Sequence, residues 1–262
     1  MKRLLFIGNS HLAAVKAAWQ ATPQHHQAEF FGTPQRAWLR MTHLPGNAFG
    51  LSNDTDAGFA RQRKITEQAN GKAAVSLADR DVIILIGALS ATDPVAPVLA
   101  TCDIPTLRET AAPTLLSPQL FTAICTTLAQ GSAPQPGWHH RPDASVLLLP
   151  RPATSETCLG STNAAFQPWH RLSAKPDGAL ARFAAYDAAL GQMLHALGIA
   201  YLPQAPETRT NAGLTAATYL AEGGGVTKGE EQRRGDHAHM NPTYGAVCVA
   251  QILGWLASQT QN

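Results

Sequence analysis

Five short apolar runs are spread along the chain, and they predict five buried strands. The segments "DVIILIGA" and "SVLLLPRP" are continuously apolar and rich in Val, Ile and Leu. Such runs are typical of parallel strands that are covered by helices on both faces. The predicted strands cover residues 4–8, 29–32, 81–87, 145–150 and 199–203.

Helical patterns lie between these runs. Leu12, Val15 and Trp19 repeat at helical spacing, and an apolar stripe with the same period runs through residues 175–197. Ser117 and Asn241 stand where N-caps belong, each followed by a proline at the first helical position. The alternation of strands and helices predicts a doubly wound α/β fold. No repeat or shift in composition divides the chain, so we expect one domain over residues 1–262.

Four stretches do not follow this alternation. We interpret residues 33–58, 91–116 and 151–174 as long loops on the same domain. Residues 222–235, "EGGGVTKGEEQRRG", are polar and rich in glycine and predict a mobile loop. An alternative is a lid whose Lys228, Arg233 and Arg234 meet an anionic substrate.

Composition narrows the function classes. The net charge is +2 and the basic residues are scattered, which argues against a nucleic-acid surface. No apolar stretch reaches the ~20 residues that span a bilayer, and "MKRLLFIGNS" is too short for a secretory signal. We therefore expect a cytoplasmic protein whose cysteines are reduced rather than bridged. These are Cys102, Cys125, Cys158 and Cys248.

The end of the first strand carries the first candidate site residue. Ser10 in "GNSHLA" follows the strand directly, at the edge where open α/β sheets bind ligands. A serine at this place either caps the following helix or acts as a nucleophile, which needs a base within reach. Near the other end of the chain, "RRGDHAHMNP" places Asp236 three residues before His239. This spacing allows the carboxylate to orient the imidazole as a base.

These two motifs resemble those of the SGNH, or GDSL-type, hydrolases. Gly8-Asn9-Ser10 matches the family's G-D-S with Asn in place of Asp, and Asp236 and His239 match its D-x-x-H before the last helix. The resemblance frames nearly the whole chain. It implies a flavodoxin-like, five-stranded parallel sheet with helices on both faces, and a serine ester hydrolase that needs no cofactor and no metal.

The resemblance also assigns roles. Ser10 is the expected nucleophile, His239 the base and Asp236 its orienting carboxylate. Oxyanion donors are expected from the backbone N–H groups of Ser10 and Gly32, with Gly46 and Gly50 as alternatives. The implied substrate is a small-molecule or carbohydrate ester, with an acetyl group as one option, and the oligomeric state stays open.

One family motif is altered. The family's G-x-N-D, whose Asn side chain donates to the oxyanion, is here Gly87-Ala88-Leu89-Ser90. Leu89 has no donor in its side chain, and losing one donor costs about 10²–10³ in rate. Ser90, Asn47 or Asn53 are possible replacements. Without one, the enzyme is slow or the fold serves binding.

Several alternatives stay open. The same site can belong to an O-acyltransferase or to an inactive domain that binds a sugar or a protein. Asp236, His237 and His239 can instead ligate a metal together with His25-His26 or His139-His140, although no spacing selects a third ligand. Three tryptophans in expected loops either stack on sugar rings or anchor their loops; they are Trp38, Trp138 and Trp169. "GNSHLA" lacks the G-x-G-x-x-G of a dinucleotide site.

Overall fold

The computed structural model describes residues 1–22, 25–52, 57–104, 114–138, 141, 143–174, 178–222 and 236–259. The strands are β1 Arg3–Gly8, β2 Gln27–Gly32, β3 Thr42–Leu44, β4 Ala48–Gly50, β5 Ala74–Ser76, β6 Val82–Ser90, β7 Cys102–Asp103, β8 Thr114–Leu115, β9 Ser145–Arg151 and β10 Ile199–Tyr201. The helices are α1 Leu12–Ala21, α2 Gln35–Trp38, α3 Ala57–Asn70, α4 Ala96–Thr101, α5 Pro118–Gly131, α6 Gln167–Ala174, α7 Ala179–Ala196 and α8 Pro242–Ser258.

The central sheet has five strands in the order β2-β1-β6-β9-β10, and every pair is parallel. Counted along the chain, these strands stand in the flavodoxin-like order 2-1-3-4-5. The predicted α/β fold with a five-stranded parallel sheet is therefore confirmed. Several strand boundaries differ from the prediction. Strand β6 ends three residues later, at Ser90, β2 begins two residues earlier, at Gln27, and β10 ends two residues earlier, at Tyr201.

Both faces of the sheet are buried, which explains the continuously apolar strands. Successive residues of β1 enter different hydrophobic clusters, with Leu4 and Phe6 on one face and Leu5 and Ile7 on the other. Helices α1 and α8 cover the first face, and α5 and α7 pack together on the second. The inner strands β1 and β6 therefore have almost no polar face, whereas the edge strand β2 is only partly buried.

The last helix lies directly against the first. At Gly245 in α8, an added Cβ would stand 2.0 Å from the Ala14 carbonyl oxygen of α1, so only glycine allows this approach. The predicted caps are confirmed: Asn241 accepts the Tyr244 N–H at 3.0 Å, and Ser117 accepts the Leu120 N–H at 3.2 Å. The loop before α8 is thereby placed beside the end of β1.

The interpretation of residues 33–58, 91–116 and 151–174 as long loops is wrong. The first stretch holds α2, β3 and β4, the second α4, β7 and β8, and the third two 3₁₀ turns and α6. Strands β3, β4 and β5 form a separate antiparallel sheet. Each of these strands has only three residues, too few for a period to show in the sequence. Of the predicted mobile loop over residues 222–235, residues 223–235 lie outside the described residues.

Two expectations from composition can be compared with the structure. All four cysteines lie in the described ranges and none forms a disulfide, and three of them are buried. Within the same ranges, no helix combines the length and the apolar character needed to cross a bilayer.

Candidate active site

Ser10 lies in the turn that joins β1 to α1, at the carboxyl edge of the central sheet. The Leu12 N–H donates to the Asn9 carbonyl at 3.0 Å and starts the helix. The residue at the cap position is His11, and its side chain makes no capping bond. The interpretation of Ser10 as an N-cap is therefore wrong, since its hydroxyl points to another partner.

That partner is His239, which lies 229 positions further along the chain. Ser10 Oγ lies 2.7 Å from His239 Nε2, and His239 Nδ1 lies 2.6 Å from Asp236 Oδ2. The carboxylate holds the hydrogen on Nδ1, which leaves Nε2 as an acceptor for the serine proton. The structure thus brings together the three residues that the sequence singled out.

The charge of Asp236 is strongly favoured. Burial alone would raise the pKa of Asp236. The carboxylate accepts a hydrogen bond from the His239 ring and others from the backbone N–H groups of Ala238 and His239. These bonds outweigh burial and lower the pKa of Asp236 to about 2. The carboxylate therefore stays ionised across the physiological pH range. It can stabilise a positive charge on His239.

Two other segments hold the loop of residues 236–241 in place. The Asn241 N–H donates to the Tyr219 carbonyl at 2.8 Å on one side. The Ser155 N–H donates to the His237 carbonyl at 2.7 Å on the other side. The sequence did not predict this support, because both partners come from segments without a regular pattern.

Asn9 ties the end of β1 to Gly87 within β6. Its side chain is 1% exposed; Nδ2 donates to the Gly87 carbonyl at 2.8 Å, and Oδ1 accepts the His11 N–H at 3.1 Å. Gly87 has φ +71°, and an added Cβ would stand 2.7 Å from Asn9 Oδ1. An ionised aspartate has no hydrogen for the Gly87 carbonyl, which accounts for Asn in the Gly8-Asn9-Ser10 motif.

His11 packs against the ring of His239. The ring centroids are 5.4 Å apart and the ring planes differ by 20°. His11 Nδ1 is buried and has no hydrogen-bond partner among the described residues. Burial first, then His239 and Arg151, lower the pKa of His11 to about 3, while Asp236 acts in the opposite direction. His11 is therefore a neutral imidazole beside the candidate base.

A basic residue also lies at this edge of the sheet. Arg151 ends β9, pairs with Asp93 and lies opposite Ser90 of β6. Ser90 Oγ accepts the Asp93 N–H at 3.0 Å and so stabilises the turn that carries this carboxylate. The sequence offered a hint in "LLLPRP", where an arginine directly follows a buried run.

The Gly32 N–H, the expected second oxyanion donor, is engaged elsewhere. The Gly32 N–H donates to Asn70 Oδ1 at 2.9 Å, and Asn70 Nδ2 donates to the Gly32 carbonyl at 2.7 Å. Gly32 therefore has no free N–H for an oxyanion in this structure, which contradicts its predicted role. The alternatives belong to the small sheet: Gly46 lies in the turn between β3 and β4, and Gly50 packs on Ala74.

Two of the expected replacements for the missing asparagine are also engaged or undescribed, and Ser90 Oγ keeps its hydrogen while accepting the Asp93 N–H. Leu89 is 8% exposed and belongs to the hydrophobic core. Asn47 donates to Asp143 at 3.2 Å and accepts from Arg141 at 2.8 Å, near the start of β9. Asn53 lies outside the described residues. Among the described candidates, the Gly32 N–H and the Asn47 side chain are thus both hydrogen-bonded to other partners.

The residues proposed as metal ligands have other partners. His237 Nδ1 is hydrogen-bonded with Thr157 Oγ1 at 2.9 Å, and His26 Nδ1 accepts the Lys2 N–H at 3.2 Å. Residues 139–140 lie outside the described ranges. Within those ranges, no three His, Cys, Asp or Glu side chains are grouped as metal ligands.

Two of the three tryptophans from the expected loops are buried in the core. Trp138 is 2% exposed and packs on Phe49, and Trp169 is 4% exposed and stacks on Phe183. Trp38 is half-buried and also contacts Phe49. For Trp138 and Trp169 the sugar-stacking alternative is therefore wrong.

Comparison with known proteins adds little. No family model matches the chain, and no curated protein matches it. Five chains among the solved structures match. One is a protein from Lactobacillus plantarum, with 16% identity, a TM-score of 0.38 and coverage of 98% of this chain and 97% of that chain. Another is a carbohydrate acetylesterase family member from Sinorhizobium meliloti, with 14% identity, a TM-score of 0.33 and coverage of 97% and 100%. The function proposed below depends on neither neighbour.

Proposed function

We propose that the protein is an SGNH-type serine ester hydrolase in which Ser10, His239 and Asp236 act as a catalytic triad. The observation that carries this proposal is the chain of two short hydrogen bonds from the Ser10 hydroxyl through His239 to Asp236. A capping serine or a structural histidine needs no such relay. The proposal treats residues 1–262 as one catalytic domain.

The proposed reaction is acyl transfer to Ser10 followed by hydrolysis. His239 Nε2 removes the proton from Ser10 Oγ, which attacks the ester carbonyl. Asp236 holds the ring and stabilises the imidazolium, which then protonates the leaving alcohol. A water activated by the same imidazole attacks the acyl-serine and releases the acid.

The proposed site has few hydrogen-bond donors for the oxyanion. The Ser10 N–H makes no hydrogen bond within the described residues and is the proposed first donor. Gly32 is bonded to Asn70, and Leu89 replaces the asparagine of the family pattern. Since each missing donor costs about 10²–10³ in rate, we expect slow turnover of unactivated esters.

The shortage of oxyanion donors favours a second candidate function, which is binding without turnover. A domain with a triad but few oxyanion donors can bind an ester or a sugar without turning it over. An O-acyltransferase is a third possibility, distinguished by an acceptor alcohol that competes with water. These alternatives differ in whether Ser10 becomes acylated and in what removes the acyl group.

Reaction with a fluorophosphonate probe tests the proposal. The probe forms a covalent bond with an activated serine, and peptide mass spectrometry identifies the residue. We expect labelling at Ser10 and its loss in Ser10→Ala. The matched control is Ser145→Ala, which changes an exposed serine at the other edge of the sheet and is expected to leave labelling intact.

Turnover of p-nitrophenyl acetate then separates the candidates. A hydrolase releases p-nitrophenol with water alone, and Ser10→Ala should reduce the rate to background. Labelling without turnover in water, but with turnover once a sugar alcohol is added, indicates a transferase. Absence of labelling in the wild-type protein would overturn the enzyme proposal. Acetylated oligosaccharides and simple alkyl acetates, compared under the same conditions, decide whether the alcohol is a carbohydrate.

A further inference from the structure

His11 occupies a place that the proposed chemistry does not explain. It follows the nucleophile directly, and its side chain turns inward to contact His239 on one side. On the other side its Cδ2 faces Gly87, where an added Cβ would stand 3.2 Å from it. The ring therefore fills the space between the candidate base and the end of β6.

We propose that His11 is a positioning residue that fixes the ring plane of His239 and offers its imidazolium a neutral aromatic face. This inference rests on the proposed function, because it assigns His11 a role through the base of that reaction. His11 touches neither the ester carbonyl nor the nucleophilic oxygen in the proposed scheme. Its effect is exerted through His239.

The neutrality of His11 follows from its surroundings. Protonation would place an N–H at Nδ1, which is buried and has no acceptor among the described residues. It would also place a positive charge beside His239 and Arg151, and only Asp236 would favour that charge. The hydrogen therefore belongs on Nε2, and Nδ1 carries the lone pair.

A neutral neighbour matters when His239 takes the serine proton. Two imidazoles whose ring centroids are 5.4 Å apart would repel each other if both were charged. With His11 held neutral, His239 can take the proton from Ser10 without repulsion from its neighbour, and the aromatic face of His11 favours the cation. The contact also restricts rotation of the His239 ring about its hydrogen bond to Asp236.

Substitutions at His11 test whether its aromatic ring, rather than its titratable nitrogen, supports His239. His11→Ala removes the face, and we expect kcat to fall by about tenfold to a hundredfold with little change in KM, because a misplaced base slows the chemical step. His11→Phe restores an aromatic face without a titratable nitrogen, and we expect it to recover most of the lost kcat. Fluorophosphonate labelling rates should follow the same order. Equal loss in both variants, or full kcat in His11→Ala, would overturn the proposal.

Nitrogen-15 NMR of the imidazoles provides a readout that does not need turnover. The His11 resonances, identified by their absence in His11→Phe, should show a neutral ring with hydrogen on Nε2 and no titration between about pH 5 and 8. Titration of His11 in that range would overturn the inference even if the variants behaved as expected. If the wild-type protein fails to react with the fluorophosphonate probe, the proposed function fails. The spectra then still decide whether His11 is a neutral partner of His239.

Discussion

The two edges of the central sheet carry similar residue types in different arrangements. At the amino edge, an open depression of about 870 Å³ is lined by Asp143, His195, Arg141, Ser145 and Trp255, among others. At the carboxyl edge, Ser10, His239 and Asp236 form a linked chain of hydrogen bonds. Each edge thus offers a serine, a histidine and an aspartate.

The difference lies in the partners of those groups. At the amino edge Asp143 pairs with Arg141 at 2.7 Å and accepts from Asn47, so its charge is balanced by neighbours outside the proposed reaction. At the carboxyl edge the carboxylate is bound to an imidazole whose other nitrogen meets a hydroxyl. The depression at the amino edge therefore lacks the order of hydrogen bonds on which the proposed reaction depends.

A matched pair of aspartate substitutions tests this comparison with the largest expected effect. Asp236→Asn removes the charge and allows the wrong tautomer of His239, so we expect kcat to fall by about 10⁴. Asp143→Asn makes the same chemical change at the amino edge and should leave kcat within about twofold. Both are measured by p-nitrophenyl acetate turnover. A similar loss in the two variants would mean that the edges are not functionally distinct.

Helix α8 runs from the carboxyl edge to the amino edge and carries a glycine near each. Substitutions at these two glycines compare the edges a second time. Gly245 lies near the carboxyl edge against Ala14, and Gly254 lies near the amino edge with nothing within 4 Å of an added Cβ. Gly245→Ala forces α8 away from α1, so we expect a loss of about 1–3 kcal/mol in the free energy of unfolding. A shift of His239 by about 1 Å would reduce kcat by roughly 10².

Gly254→Ala is the control for that change. The position is exposed and helical, so alanine should stabilise the protein by about 0.5–1 kcal/mol and leave turnover unchanged. Urea unfolding and ester hydrolysis measure both quantities. Full activity in Gly245→Ala would show that the contact between α1 and α8 does not set the position of the base.

The Asn9→Asp variant tests the hydrogen bond from Asn9 to the Gly87 carbonyl at the carboxyl edge. The carboxylate cannot donate to the Gly87 carbonyl, and its burial raises its pKa, so the variant must take up a proton to restore the bond. Because that folded-state pKa is raised, the variant should be closest to wild-type stability at low pH and lose stability as pH rises. We expect a deficit of about 1–3 kcal/mol at neutral pH. Urea unfolding near pH 5 and pH 8 measures it, and a deficit independent of pH contradicts the assignment.

The sequence predicted the parts of the molecule that depend on local patterns. Strands β6 and β9 are long apolar runs, and the caps at Ser117 and Asn241 are local features, so both appear in the structure where the pattern placed them. Helix α3 was missed because Phe59 is its only large apolar side chain in the core. Such a helix has almost no apolar stripe to detect.

The site was only partly predictable for the same reason. Short motifs identified Ser10, Asp236 and His239, because each motif is contiguous in sequence. The catalytic role of these residues stays a prediction. The engagement of Gly32 by Asn70 and the burial of His11 against His239 depend on residues far apart in the chain. No local pattern encodes these contacts. The sequence could therefore not show that the Gly32 N–H is engaged by Asn70.

The smallest expected effect belongs to the imidazole at the amino edge. His195 is exposed at the end of α7 and lines the depression there, so His195→Ala should change the free energy of unfolding by no more than about 0.5 kcal/mol. Turnover of p-nitrophenyl acetate should also stay unchanged, since the proposed reaction uses only His239 as a base. Larger substrates make the test stricter, because an acetylated oligosaccharide that reached the amino edge would show a raised KM in this variant. An unchanged KM for both substrates confines recognition to the carboxyl edge, where Ser10 lies.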